Sequence, residues 1–210
     1  CRFGAVELGG SDGNAVAHID DLACEGCGVC VDHCPSAAIV ELPRQAGELI
    51  HCQTRFGTLV YGVLEPGRPN SGKLVAQVRA SARSAASENG AGLVLVDGPP
   101  GVGCPVIASL GNVDLAVIVV EPTISARHDL QRVLELCRHF SVEGAIVINK
   151  ADLNSRIAED IEGQCSREGL AVLGSIHYDT EFVKAVTAGK SILEYAPDGR
   201  AADEVRAVWR

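Results

Sequence analysis

Apolar and polar positions change rhythm along this chain, and the change divides it into two stretches. Residues 48–54 (ELIHCQT) and 57–65 (GTLVYGVLE) alternate as two strands do, with a turn near Arg55–Gly57 between them. Pro66–Asn70 punctuates the pattern. Lys73 to about Ser87 then reads as a helix, with Leu74, Val78 and Ala82 along one face. Beyond it, Gly92–Val96, Leu115–Val120, Ala145–Ile148 and Ala171–Leu173 are short apolar runs rich in β-branched residues, and each predicts a strand. Helical patterns at about 104–110, 125–140, 154–168 and 180–188 lie between or after them, and 196–203 (APDGRAAD) reads as a solvated link to a short C-terminal helix. Strands apolar on both faces, alternating with helices, predict a parallel sheet with crossover helices. Residues 1–44 show little helical periodicity and are rich in Cys and Gly.

Composition sharpens this picture. Of the 210 residues 47% are hydrophobic but only 4% are aromatic, so the core is aliphatic, as a parallel sheet of Val, Ile and Leu requires. The formal charge is −9 and no stretch gathers Lys and Arg into a stripe, which argues against nucleic acid as a partner. The longest apolar run, Leu115–Val120, is too short to span a bilayer, and nothing at the start reads as a signal peptide. Nine cysteines in such a chain argue for metal or redox chemistry rather than a disulfide framework. The first residue is Cys1 and there is no methionine, so the chain reads as a piece lacking its N-terminal part.

Four of the cysteines form Cys24-x2-Cys27-x2-Cys30-x3-Cys34-Pro35, the spacing of a bacterial-ferredoxin iron–sulfur site. Three thiolates on one tight loop serve three irons of a cubane, and Gly26 and Gly28 let the backbone wrap close to the sulfides. The fourth cysteine is expected to leave on a helix and, in two-cluster proteins, to ligate the other cluster. Zinc also takes four thiolates, but its sites usually pair two separated C-x2-C knuckles rather than gathering three cysteines within seven residues. Cys1-Arg-Phe-Gly-Ala-Val6 echoes Cys34-Pro-Ser-Ala-Ala-Ile39, offset by 33 residues. Cys1 therefore reads either as the fourth cysteine of a first motif, completing the cluster of Cys24, Cys27 and Cys30, or as an incidental terminal thiol. The metal-ligand candidates are Cys1, Cys24, Cys27, Cys30 and Cys34. Cys52, Cys104, Cys137 and Cys165 read as core or surface thiols, Cys104 as a small buried residue at a helix start.

Nucleotide signals follow. Leu93-Val-Leu-Val-Asp97-Gly-Pro-Pro-Gly101 is an apolar run ending in Asp and a Gly/Pro turn, the place where a P-loop protein holds Mg²⁺. Asn149-Lys-Ala-Asp152 follows the strand 145–148; its amide suits a purine edge, and its Asp could accept from guanine N–H groups or cap the next helix. Gly67-Arg-Pro-Asn-Ser-Gly72-Lys73-Leu74 matches G-x4-G-K. It puts Leu where Ser or Thr must ligate Mg²⁺, and Pro69 removes an N–H donor, so it reads as a decoy.

The cysteine motif, the 66–75 loop, Leu95–Ser109, Glu121-Pro-Thr123, His128-Asp-Leu130 and Val147–Asn154 together closely resemble MinD/ParA-type P-loop ATPases that carry an inserted ferredoxin domain. The resemblance implies an α/β fold with a doubly wound, mostly parallel, P-loop NTPase-like sheet plus a small ferredoxin-like iron–sulfur module. It divides the chain into 1–44, the metal module, and 45–210, a nucleotide domain without its N-terminal strand and phosphate loop. It implies Asp97 as the Mg²⁺-holding Asp, Gly98 to Gly101 as a switch segment, Asn149 and Asp152 as base contacts, and Thr123 as lining the same site. It further implies one complete [4Fe–4S] cluster at most here and two in the parent, ATP and Mg²⁺ in the parent, a homodimer, and a redox or cluster-acceptor partner. The charge and the short apolar runs predict no nucleic acid and no membrane span, and thiolates that must stay reduced predict a cytoplasmic location. The expected function is ATP-dependent electron transfer or cluster delivery, with catalysis by the parent and not by this chain alone. The alternative is a non-hydrolysing ferredoxin-type electron-transfer or docking module.

Overall fold

The computed structural model describes residues 1–9, 16–43, 45–66 and 72–210. These gather into two compact units, Cys1–Gly98 and Pro99–Arg210.

In the first unit β1 (Val6–Gly9) pairs antiparallel with β2 (Val16–Ile19), Val6 opposite Ile19. A one-turn helix, α1 (Val29–Asp32), follows the first two cysteines of the motif. The predicted hairpin forms as β3 (Gly47–Thr54) and β4 (Gly57–Leu64) in full register. Its turn is closed by Thr54, whose hydroxyl donates to the Gly57 carbonyl (2.8 Å) and accepts the Phe56 N–H (3.1 Å). The predicted helix is α2 (Gly72–Asn89), which begins inside the decoy loop; residues 67–71 of that loop lie outside the described residues. Helix α2 covers one face of the hairpin. Ser81 Oγ lies 2.7 Å from His51 Nε2, and Asn89 Nδ2 donates to Thr58 Oγ1 (3.2 Å). Among the described residues of this unit only Ala5, Arg79 and Ala85 are buried.

The second unit alternates helix and strand as expected: α3 (Cys104–Leu110), β5 (Leu115–Val120), α4 (Ile124–His139), β6 (Glu143–Asn149), α5 (Ser155–Glu168) and β7 (Ala171–Ile176). After β7 come α6 (Glu181–Thr187), α7 (Ile192–Tyr195) and α8 (Arg200–Val208). Strands β5, β6 and β7 form a parallel sheet in that order. β6 is buried on both faces, Ala145 to Ile148 each being at most 3% exposed. Ile146 and Ile148 pack with Leu130 and Leu134 of α4 and with Ile161 and Cys165 of α5, the aliphatic core that the composition predicts. Side-chain caps start both helices: Thr123 Oγ1 accepts the Ala126 N–H (3.1 Å), and Asn154 Oδ1 accepts the Ile157 N–H (3.2 Å).

One expected strand is missing. Residues 92–97 enter no sheet among the described residues, and Leu93 and Leu95 are 64% and 85% exposed. An apolar parallel strand is stable only where neighbours take up its N–H and C=O groups and helices cover it, and the described residues give it neither.

Candidate functional site

The cysteine loop is built for close approach. Gly26 (φ +60°) and Gly28 (φ +76°) both adopt left-handed backbone, which lets the chain turn between Cys24, Cys27 and Cys30. Cys30 lies on α1, and His33 caps that helix, so Cys34 follows the helix rather than opening one. This departs from the expected helical exit, because a helix of one turn is spent before Cys34-Pro35 is reached. Cys34 Sγ accepts the Ala38 N–H at 3.3 Å. That bond first, and the Ser36 N–H after it, hold the Cys34 thiol below the usual thiol range against the opposing effect of burial. All nine thiols are free; Cys1 and Cys27 are exposed, and Cys24, Cys30 and Cys34 half-buried. Among the described residues no three His, Cys, Asp or Glu side chains converge into a metal-ligating group, so the loop presents its donors along the chain rather than as a closed cage. The donor set nonetheless fits a cluster: soft thiolates at ferredoxin spacing, glycines at the bends, and amide N–H groups already turned to sulfur.

The other thiols sort by burial. Cys137 and Cys165 are core residues, and burial pushes both thiols up. Cys52 is half-buried. Cys104 is exposed, not buried as expected, because it is the first residue of α3 and the buried side of that helix is formed by Val106, Ser109 and Leu110.

The nucleotide candidates fall in both units. Asp97 and Gly98 end the first; Gly101, at φ +90°, Asn149 and Asp152 lie in the second. Within the second unit the carboxyl ends of the parallel strands line up Glu121 and Thr123 after β5, Asn149 and Lys150 at the end of β6, and His177 and Tyr178 after β7. Ligands of open α/β sheets bind at this edge. Asn149 is the register partner of Ile176. Lys150, in left-handed backbone, places Nζ 2.7 Å from Glu121 Oε1. The Thr123 hydroxyl is engaged as the cap of α4. Asp152 Oδ1 accepts the Tyr178 N–H at 2.7 Å, and this bond is the main reason its carboxyl lies below the usual carboxylate range.

Sequence reasoning missed three participants at this edge: Tyr178, His177 and Glu204. Glu204, on α8, accepts the His177 N–H (2.9 Å) with Oε2 and meets His177 Nδ1 (2.7 Å) with Oε1. For His177 and Tyr178 the signal available was position, a few residues past the strand predicted at Ala171–Leu173, which runs on to Ile176; for Glu204 there was none.

The 4Fe–4S binding domain family matches residues 17–40, which span the whole cysteine loop. This stretch is similar to iron–sulfur binding domains. The chain's fold has a counterpart in the MinD cell division protein of Aquifex aeolicus. The likeness has a TM-score of 0.56 at 19% identity and covers 75% of this chain and 66% of that one. The fold is therefore a MinD-like α/β fold with a parallel sheet, joined to a ferredoxin-like module, as the sequence patterns predict. Two proteins of Methanocaldococcus jannaschii are similar in sequence. The uncharacterized protein MJ0578 is 39% identical over 137 residues, which are 65% of this chain and 48% of that protein. The uncharacterized ATP-binding protein MJ0823 is 29% identical over 103 residues, 48% of this chain and 38% of that protein. The chain thus spans about half, or less, of the length of these relatives. Among the described residues no helix is long and apolar enough to cross a membrane.

Proposed function

We propose that this iron–sulfur domain works in a nucleotide-driven protein, in which ATP binding and hydrolysis by a MinD-like α/β domain govern electron transfer or cluster delivery. The observation that carries the reading is the joining, in one chain, of a ferredoxin-spaced cysteine loop to a parallel sheet with polar residues at its ligand-binding edge. Residues 1–44 are the metal module and 45–210 the nucleotide domain. Cys24, Cys27 and Cys30 hold one cubane with Cys1, and Cys34 serves a second cluster in the parent. The clusters supply one-electron chemistry; the chain's contribution is to hold thiolates, to aim amide N–H groups at sulfur and to limit solvent access.

In the nucleotide domain Asp97 holds Mg²⁺, Gly98 to Gly101 form the segment that responds to the γ-phosphate, and Asn149 contacts the base. The relative named for ATP binding and the MinD-like fold support an adenine nucleotide. The phosphate cradle supplies most of the nucleotide affinity in this class. The G-x4-G-K run in this chain places Leu74 at the metal-ligand position. The chain by itself therefore binds Mg–ATP poorly, and the parent is the ATPase. A homodimer, a redox or cluster-acceptor partner and a reducing cytoplasmic setting complete the reading, since solvent-accessible thiolates must stay reduced.

Coupling is tested on the whole protein with its clusters in place, by measuring the cluster midpoint potential with and without Mg–ATP. A shift on ATP binding supports coupling. Bound ATP with an unchanged potential and unchanged transfer to an acceptor would leave the α/β domain as a docking module only.

A further inference from the structure

Two consecutive loop residues after β7 are each held by a carboxylate, and the third is a carboxylate that holds the chain after it. Glu204 of α8 accepts the His177 N–H and contacts the His177 ring. Asp152, in the 3₁₀ turn Ala151–Asn154, accepts the Tyr178 N–H at 2.7 Å across 26 residues of sequence. Asp179 Oδ1 accepts the Glu181 N–H (2.9 Å), and Arg200 lies 3.8 Å from Asp179 and 3.7 Å from Glu204, joining the two anchors. This loop is the neighbour of Asn149, because Asn149 and Ile176 are register partners at the ends of β6 and β7.

A carboxylate that reads guanine must leave its oxygens free for the base N1–H and N2–H groups. Asp152 has given one oxygen to the chain instead, and turning it to a base would strip the Tyr178 N–H of that partner, at the cost of a charge-assisted hydrogen bond. The geometry points to Asp152 as a positioning residue: together with Glu204 it fixes residues 177–179 beside Asn149, and it does not itself read the base. This role rests on the nucleotide site proposed above, but the clamp exists in the protein without nucleotide and can be tested there.

The test compares the native protein with Asp152→Asn and Asp152→Ala by amide hydrogen exchange at Tyr178 and by ATP and GTP binding to the whole protein. The Asn side chain keeps an acceptor oxygen, so Asp152→Asn should hold Tyr178 exchange near the native rate. Asp152→Ala removes the acceptor and should speed exchange about tenfold. Asp152→Ala should weaken ATP binding by a similar factor, whereas Asp152→Asn restores it without changing the preference for ATP over GTP. Equal Tyr178 exchange in all three proteins would overturn the clamp. A native preference for GTP that Asp152→Asn abolishes would overturn it too, by making Asp152 a base reader. Native protein that binds neither nucleotide, with Tyr178 exchange still obeying the Asn and Ala pattern, would refute the nucleotide site while upholding the clamp.

Discussion

The two units hold together by different means. In Pro99–Arg210 a central strand buried on both faces packs between helices, and Ile146, Ile148 and Ile161 are wholly buried. In Cys1–Gly98 the described residues bury only Ala5, Arg79 and Ala85, while Leu8, Val16, Leu22, Val40 and Leu42 are each at least 69% exposed. Apolar burial near 25 cal/mol per Å² can sustain the first arrangement but not the second. A small segment without a core needs a staple, and four thiolates on one loop are such a staple. The difference predicts that a cluster held by the 17–40 loop would stabilise the N-terminal module where a core does not.

The sharpest way to break this contrast is to remove a thiolate. Cys27→Ser should abolish most of the iron and sulfide and loosen the residues around the 17–40 loop, as read by proteolysis, while the unfolding transition of the second unit stays in place. Loss of that transition as well would mean that the two units do not differ as described. The converse substitution is Ile161→Ala, which empties a fully buried position between α5 and the sheet. It should cost about 2–5 kcal/mol in denaturant unfolding and leave iron content unchanged. Smaller still, Thr123→Ala and Asn154→Ala each remove a helix cap, and each should cost about 1 kcal/mol in the same measurement.

The smallest effect is a pH dependence. The Asp152 carboxyl is depressed chiefly by the Tyr178 N–H, so its contribution is present above the ordinary carboxylate pKa and is lost as pH falls through its lower folded value. Unfolding stability of the second unit should therefore hold at neutral pH and decline slightly in acid, and that decline should be absent in Asp152→Asn, whose neutral acceptor does not titrate. A decline of equal size in Asp152→Asn would show that other groups cause it.

Much of this was legible in the residues, for physical reasons. β5, β6 and β7 are recognisable because strands covered on both sides are continuously apolar, and α4 and α5 because one face of each meets the sheet. The β3–β4 hairpin is legible through its tight turn at Arg55–Gly57. The β1–β2 pair was not, since four-residue strands with mostly exposed side chains carry no periodicity. Leu93–Val96 misled for the opposite reason: it has the composition of a buried strand, yet composition cannot supply a neighbour. The cysteine spacing pointed to the iron–sulfur domain because ligand order along the chain is itself the chemistry. The Asp152–Tyr178 bond was invisible, because it depends on register between two strands and on no local pattern.

The central claim is that residues 17–40 bind a 4Fe–4S cluster, and the most direct test is the iron, sulfide and zinc content per chain after anaerobic reconstitution, on the native sequence and on Cys1→Ser. About four irons with matching sulfide are predicted for the native chain, with a clear loss in Cys1→Ser if Cys1 completes the cubane. An unchanged count in Cys1→Ser would give the fourth position to Cys34. Stoichiometric zinc without sulfide would contradict the iron–sulfur account altogether.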